Sequence, residues 1–308
     1  MKTAYISHDD CEMHDMGFGH PESPARLRAI KNQLQDTKLE QELDFIRAEE
    51  VTKDQVNRVH PSTYIEQLDL LTPAKGRIMA DPDTAIMPHT MKAAKLAAGA
   101  AVQAVDLVMS GQYDTAFCGT RPPGHHAETN KTMGFCFYNN IAIAARHAMA
   151  FHGLDRVAII DFDVHQGNGT VDIFQDDPRV LFCSSFQHPY YPNSHYAVQR
   201  DNIINTPLEA HTGGKNFRNK VEKDWLNQLQ NHKPQLVLIS AGFDAHKDDP
   251  MAEIELLEDD YRWVTEMLMD VAKYYADGRV VSVLEGGYNL KALAKSVESH
   301  LEVLSGRS

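Results

Sequence analysis

Residues 156–169 read Arg156-Val-Ala-Ile-Ile-Asp161-Phe-Asp163-Val-His165-Gln-Gly-Asn168-Gly, an apolar run that ends in a cluster of polar chemistry. The consecutive apolar residues predict a strand over Arg156–Asp163 that is covered on both faces, as in a parallel sheet flanked by helices. Residues i, i+2 and i+4 of a strand share a face, so Asp161, Asp163 and His165 converge at its carboxyl end. Open parallel sheets place their sites there. A helix cap followed by a glycine-rich turn is the plain alternative, and this segment alone does not decide between the two.

Outward from this strand the same grammar repeats. Apolar runs predict strands over Thr3–Ser7, Asp114–Gly119, Arg179–Ser185, Gln235–Phe243 and Arg279–Glu285. Helical spacing predicts helices over Ser23–Leu43, His89–Ser110, Tyr138–His152, Lys215–Asn231, Leu257–Ala276 and Asn289–Leu304. Asn289 is placed to cap the last of them. Strand and helix in alternation mean right-handed crossovers and a mainly parallel sheet, an α/β chain. Residues 186–214 read as long loops that shape a site. With no linker, repeat or composition break, one domain over residues 1–308 is expected.

The 308 residues carry 43 acidic and 30 basic side chains, a formal net charge of −13. That balance argues against a general nucleic-acid binder or docking on anionic lipid. No run approaches the length of a membrane span, and MKTAYISHDD lacks the apolar centre of a signal peptide. Cys11, Cys118, Cys136 and Cys183 form no CxxC pair, so reduced thiols in a cytoplasmic enzyme are expected.

Three more strand ends carry polar groups. Ser240-Ala-Gly-Phe-Asp244 adds a carboxylate, and Asp163, His165 and Asp244 together make an oxygen–nitrogen–oxygen set suited to a borderline divalent ion. Three protein ligands leave positions open for water and substrate, as in catalytic zinc sites. Arg121-Pro-Pro-Gly-His125-His126-Ala-Glu128 offers two adjacent imidazoles on a rigid loop, suited to proton transfer near neutral pH. Glu285-Gly-Gly-Tyr288-Asn289 brings a phenol able to donate to a developing oxyanion. A cap would explain any one of these; four complementary ends together are hard to read as caps.

These motifs resemble the zinc-dependent histone deacetylase family, which also contains acetylpolyamine amidohydrolases and acetoin-utilisation proteins. The resemblance runs nearly end to end: His20-Pro21-Glu22 with Arg26, Asp83-Thr84, RPPGHHAE (121–128), GFCFYNN (134–140), DFDVHQGNGT (161–170), SAGFDAHKDDP (240–250) and EGGYN (285–289). Asn168, where class I has aspartate, looks most like the class II branch, and the HQGNG stretch is similar to the class IV branch as well.

The resemblance implies the arginase–deacetylase fold, a three-layer α/β/α arrangement around a mainly parallel sheet of about eight strands. It implies one catalytic Zn2+ on Asp163, His165 and Asp244. His126 would be general base and acid, with Asn168 against it. His125 would be its electrostatic partner, oriented by Asp161, and Tyr288 would polarise the acetyl carbonyl. Gly134, Phe135, Tyr191 and Met251 would line the tunnel, Asp83 would meet substrate at the rim, and Arg26 would line an internal acetate pocket. A structural K+ would sit on Asp161, Ser184 and the backbone of Asp163, His165 and Ser185. The sequence departs from the family at the rim: Tyr191 replaces a usual phenylalanine, Pro192-Asn193-Ser194-His195 follows it, and Ala252-Glu253 replaces a common Gly-Gly.

The expected reaction is hydrolytic removal of acetyl or other acyl groups from N-acetyl-lysine side chains, peptide or protein, or from similar small acetylated amines. Acetyl-lysine in a peptide is favoured over acetylpolyamine, because Asp83 can accept backbone N–H bonds while Met251 cannot pair with a second cation; Glu253 is the residue that would reverse this. The alternatives are an acetylpolyamine deacetylase, an inactive acyl-lysine binding module, and an arginase-like hydrolase using His246 and Asp248 for a second metal.

Overall fold

The computed structural model describes residues 1–307. Its strands are β1 (Thr3–Ser7), β2 (Leu43–Arg47), β3 (Ile78–Met79), β4 (Ala85–Ile86), β5 (Thr115–Cys118), β6 (Val157–Asp161), β7 (Val180–Gln187), β8 (Ile203–Leu208), β9 (Leu236–Ala241) and β10 (Val280–Leu284). Its helices are α1 (Ala25–Asp36), α2 (Lys53–Val56), α3 (Ser62–Leu71), α4 (Thr90–Met109), α5 (Asn140–His152), α6 (Asn168–Phe174), α7 (Gly214–His232), α8 (Glu258–Tyr275) and α9 (Leu290–Ser305).

Eight strands form one parallel sheet in the order β2-β1-β5-β10-β9-β6-β7-β8, and β3 and β4 make a separate antiparallel pair. The central strands β5, β10, β9 and β6 are buried along their whole length, which is why they read as continuous apolar runs. α4 and α5 pack together on one face, while α1, α9, α8 and α7 pack in succession on the other, giving three layers. Alanine at Ala94, Ala97, Ala98 and Ala101 brings α4 close to β1, β5 and β10. Asn289 caps α9, its side chain accepting the Ala292 N–H at 3.1 Å.

The short β3–β4 pair was not expected, and in the main sheet two strands depart from expectation, both of them edges. The helix predicted over Ser23–Leu43 stops at Asp36; Lys38 turns left-handed (φ 61°), a 3-10 turn follows, and Leu43–Arg47 pairs with β1 alone. Its Asp44 and Arg47 face solvent, so no apolar run announces it. Within the predicted loop 186–214, Ile203–Leu208 pairs with β7. Pro207 masks this strand in the sequence, yet an edge tolerates its missing N–H.

The sheet order decides the site. The four motif-bearing loops leave β5, β10, β9 and β6, which are adjacent in the sheet although β5 and β10 lie some 160 residues apart in sequence. Asp161 at the end of β6 stands in register with Ser240 on β9 and Ser184 on β7.

Candidate active site

The loop after β6 turns sharply because its carboxylates take up its own backbone. Asp161 Oδ1 accepts the Asp163 N–H (3.1 Å), and Asp163 Oδ1 accepts the His165 N–H (2.9 Å). From β9, Asp244 Oδ1 accepts the Val164 N–H (2.9 Å), and from β10 the Gly286 N–H donates to Asp163 Oδ2 (2.8 Å). His165 Nδ1 then lies 3.0 Å from Asp163 Oδ1 and 3.2 Å from Asp244 Oδ2. Only glycine fits at 286, since a Cβ there would be driven into the carboxylates of Asp163 and Asp244.

Asp163, His165 and Asp244 are all buried, with one ligand atom from each within 4.8 Å of the others. Two buried carboxylates this close need a cation. Burial works against a charged His165, but the Asp163 and Asp244 carboxylates beside it outweigh that and carry the imidazole up to about 10. Burial and the charge of Asp163 push Asp244 up. Asp244 Oδ2 makes no hydrogen bond. This donor set fits a divalent metal with open positions. Ser184, in register with Asp161, likewise has a buried Oγ without a partner.

The paired imidazoles, 4.0 Å apart between ring centres, are held in opposite states. His125 Nδ1 lies 2.8 Å from Asp161 Oδ2. Burial disfavours its charge, but Asp161, Asp163 and Glu285 together raise it well above the ordinary range. His126 Nδ1 lies 2.7 Å from Asn168 Oδ1, and the Asn168 amide donates to Glu128 Oε1 at 2.8 Å. Glu128 thereby turns the Asn168 oxygen toward His126, which puts the proton on Nδ1 and leaves Nε2 as an acceptor. Burial, with His125 and His165 nearby, pulls His126 well below its usual value.

These groups floor a cavity of about 630 Å3 lined by Asp83, His126, Gly134, Phe135, His165, Tyr190, Tyr191, Met251 and Tyr288, among others. Gly134 (φ 56°) lies against His126, where any side chain would strike the ring. Tyr191 stands edge-on to His126 (5.3 Å) and His165 (5.9 Å), and Phe135 stands edge-on to Tyr288 (6.1 Å). Tyr288 is fixed through its backbone, its N–H donating to Asp249 Oδ2 at 2.7 Å. Burial, then the charge of Asp244, raises its phenol well above the ordinary value.

Arg26 lies behind the site rather than along this cavity. Its guanidinium sits 5.1 Å from the Tyr288 ring centre and donates to the carbonyls of Gly287 (2.7 Å) and Glu285. It shares Glu22 with Arg121 in a fully buried network, in which Arg121 also donates to the carbonyls of Cys11 and His14 at 3.0 Å. Glu253 is exposed and turned to Gln187, which accepts its N–H at 2.8 Å, and it does not line the cavity. All four cysteines are buried and unpaired.

Two positioning residues carried no role in the sequence reading. Glu285 accepts the Gly124 and His125 N–H groups and the Ser240 hydroxyl, tying three of the strand ends together. Asp249 holds Tyr288, Asn289 and Met251 through their backbone N–H groups. Both lie inside quoted motifs, EGGYN and HKDDP, but only the folded backbone reveals what they accept.

Among the described residues, neither His246 nor Asp248, the extra ligands of the arginase-like alternative, joins a metal-like cluster. His246 is buried 3.5 Å from Glu258, and Asp248 is exposed. Among the described residues one other metal-like cluster exists, Asp106 with His147 and His152, on α4 and α5. There Arg58 donates to His147 Nδ1 (2.9 Å), so Nε2 carries the proton and donates to Asp106 (2.7 Å). That cluster is a hydrogen-bonded one.

Comparisons with known proteins agree on one family and one fold. The Histone deacetylase domain family matches residues 20–304. An uncharacterized protein of Synechocystis sp., slr0245, is 40% identical over 297 residues, covering 94% of this chain and 95% of its own. The histone deacetylase-like amidohydrolase of Pseudomonas aeruginosa is 36% identical over 295 residues, covering 94% of this chain and 77% of its own. The crystal structure of the HDA15 HD domain superposes with a TM-score of 0.94 at 32% identity, covering all of this chain and 89% of that one.

Proposed function

The chain belongs to the histone deacetylase family, and from that premise we propose that it is a zinc-dependent amidohydrolase acting on N-acetylated lysine side chains or similar acetylated linear amines. The observation that carries this reading is the pairing of a buried Asp163–His165–Asp244 set with a neutral, acceptor-side His126 on one cavity floor.

Zinc held by Asp163, His165 and Asp244 would supply an activated water and polarise the acyl oxygen. His126 takes the water proton at Nε2, its other nitrogen anchored by Asn168, and returns it to the leaving amine. His125, kept cationic by Asp161, stabilises negative charge gathering beside it. Tyr288 donates to the oxyanion from the opposite wall. Phe135 and Tyr191 flank the alkyl arm and exclude water from it. Asp161, Ser184 and the backbone of Asp163, His165 and Ser185 would hold a potassium ion beneath the metal loop. His126 and Tyr288 both face the cavity, which favours catalysis over acyl-lysine binding alone.

The test is hydrolysis of an acetyl-lysine peptide by purified protein, with metal content determined in parallel. One zinc per chain, turnover, and inhibition by a hydroxamate are expected. A metal-replete protein that binds such peptides without releasing acetate would instead establish the binding module.

A further inference from the structure

Tyr191 and Asp83 meet across the cavity: the Tyr191 phenol donates to Asp83 Oδ2 at 2.9 Å. The other carboxylate oxygen, Oδ1, accepts the Thr84 hydroxyl (2.8 Å) and the Gly134 N–H (3.1 Å). Thr84 in turn accepts the Phe135 N–H at 3.0 Å. One carboxylate thus holds both walls of the slot, Gly134–Phe135 through one oxygen and Tyr191 through the other.

A carboxylate has about four acceptor positions, and three here are filled from within the chain. Asp83 is also the one acidic side chain lining the cavity, and no lysine or arginine lines it. A peptide flanking an acylated lysine offers backbone N–H groups at the mouth, and Asp83 is the charged acceptor placed to take them. One position on Oδ2 is left, so a second backbone N–H can be taken only by giving up the phenol, exchanging one charge-assisted bond for another with little net gain.

We propose, building on the hydrolase reading above, that Tyr191 is a specificity-determining residue that occupies Asp83, so that the site recognises the acylated arm and draws little affinity from a surrounding peptide backbone. The substrate class this selects is the acylated linear amine, small or large, with weak dependence on flanking amides. The peptide preference expected from the sequence takes Asp83 as free; the Tyr191 phenol occupies one of the two positions on Oδ2.

The experiment compares two ligands that share one arm: a peptide with acetyl-lysine at its centre, and N-pentylacetamide, which has no flanking amides. Values of kcat/KM are measured for the parent, Tyr191→Phe, and Tyr191→Phe combined with Asp83→Asn. Dissociation constants for the same ligands are measured alongside, so the ratio is read even without turnover. Tyr191→Phe should raise the peptide-to-amide ratio about tenfold, mainly through a lower KM for the peptide, as a freed carboxylate gains an amide donor. The added Asp83→Asn should bring the ratio back toward the parent. A ratio that stays put or falls in Tyr191→Phe would overturn the proposal. Absence of turnover with a shifted binding ratio would count against the hydrolase reading and leave the Tyr191 role standing.

Discussion

Asn168 Oδ1 lies 2.7 Å from His126 Nδ1, so a neutral amide stands where a carboxylate would make the imidazole a stronger base. Replacing Asn168 by Asp keeps the acceptor and adds negative charge, which favours protonated His126. The base is then free only at higher pH. The acidic limb of the kcat/KM profile should move upward in pH in Asn168→Asp, and a pH series on the two proteins checks it.

Removal of a metal ligand should separate chemistry from folding. Asp163→Ala and His165→Ala are expected to lose bound metal and essentially all turnover. The domain should stay folded, because its core is the buried apolar sheet and its helices. Metal analysis with circular dichroism reads both. Variants that retain stoichiometric zinc and full turnover would refute the assignment.

Tyr288→Phe would delete the oxyanion hydrogen bond proposed above, one that strengthens toward the transition state. A loss in kcat on the order of 10²–10³ is expected, with KM little changed. Asp249→Ala removes the acceptor that fixes the Tyr288 backbone and should lower kcat by roughly tenfold, through misplacement of the same phenol. In the double variant the two losses should fall well short of adding.

Acid stability should report on Glu22. Although burial opposes its charge, Arg121 and Arg26 hold this carboxyl at about 2, below its ordinary 4.5. A depressed carboxyl stabilises the fold above the unfolded value and loses that contribution as pH falls through the folded one. The window is therefore pH 4.5 to 2, and the loss about 3 kcal/mol. Glu22→Gln should flatten this part of the stability curve while costing about 3–5 kcal/mol at neutral pH, since two buried guanidinium groups lose their counter-charge. Urea unfolding across the range reads both effects.

The central strands and the carboxylate and imidazole groups at their ends were legible because burial on both faces writes itself as apolar runs, and because polar clusters interrupt those runs abruptly. The edge strands were not. Leu43–Arg47 has one neighbour and a solvated face, and Ile203–Leu208 hides behind Pro207. The metal-like set could be named from residue types, but the adjacency of β5, β10, β9 and β6 is a property of topology that no local spacing encodes. Side chains that act on backbone groups, such as Glu285 on Gly124 and His125, were invisible for the same reason. The engagement of Asp83 by Tyr191 required knowing that two segments 108 residues apart meet.

Strand β10, late in the chain, lies between β5 and β9 in the sheet. Until residues 280–284 are in place, the sheet is two separate blocks, β2-β1-β5 and β9-β6-β7-β8. The His125–His126 loop rides on the first block and the loops of Asp163, His165 and Asp244 on the second. Closure by β10 thus joins the paired imidazoles to the Asp163–His165–Asp244 set, and brings Glu285, which bonds to both sides. Contacts so distant in sequence are slow to form and expose unpaired strand edges meanwhile. During synthesis, activity should therefore emerge in a single late step, with the two half-sheets open to chaperone capture until then.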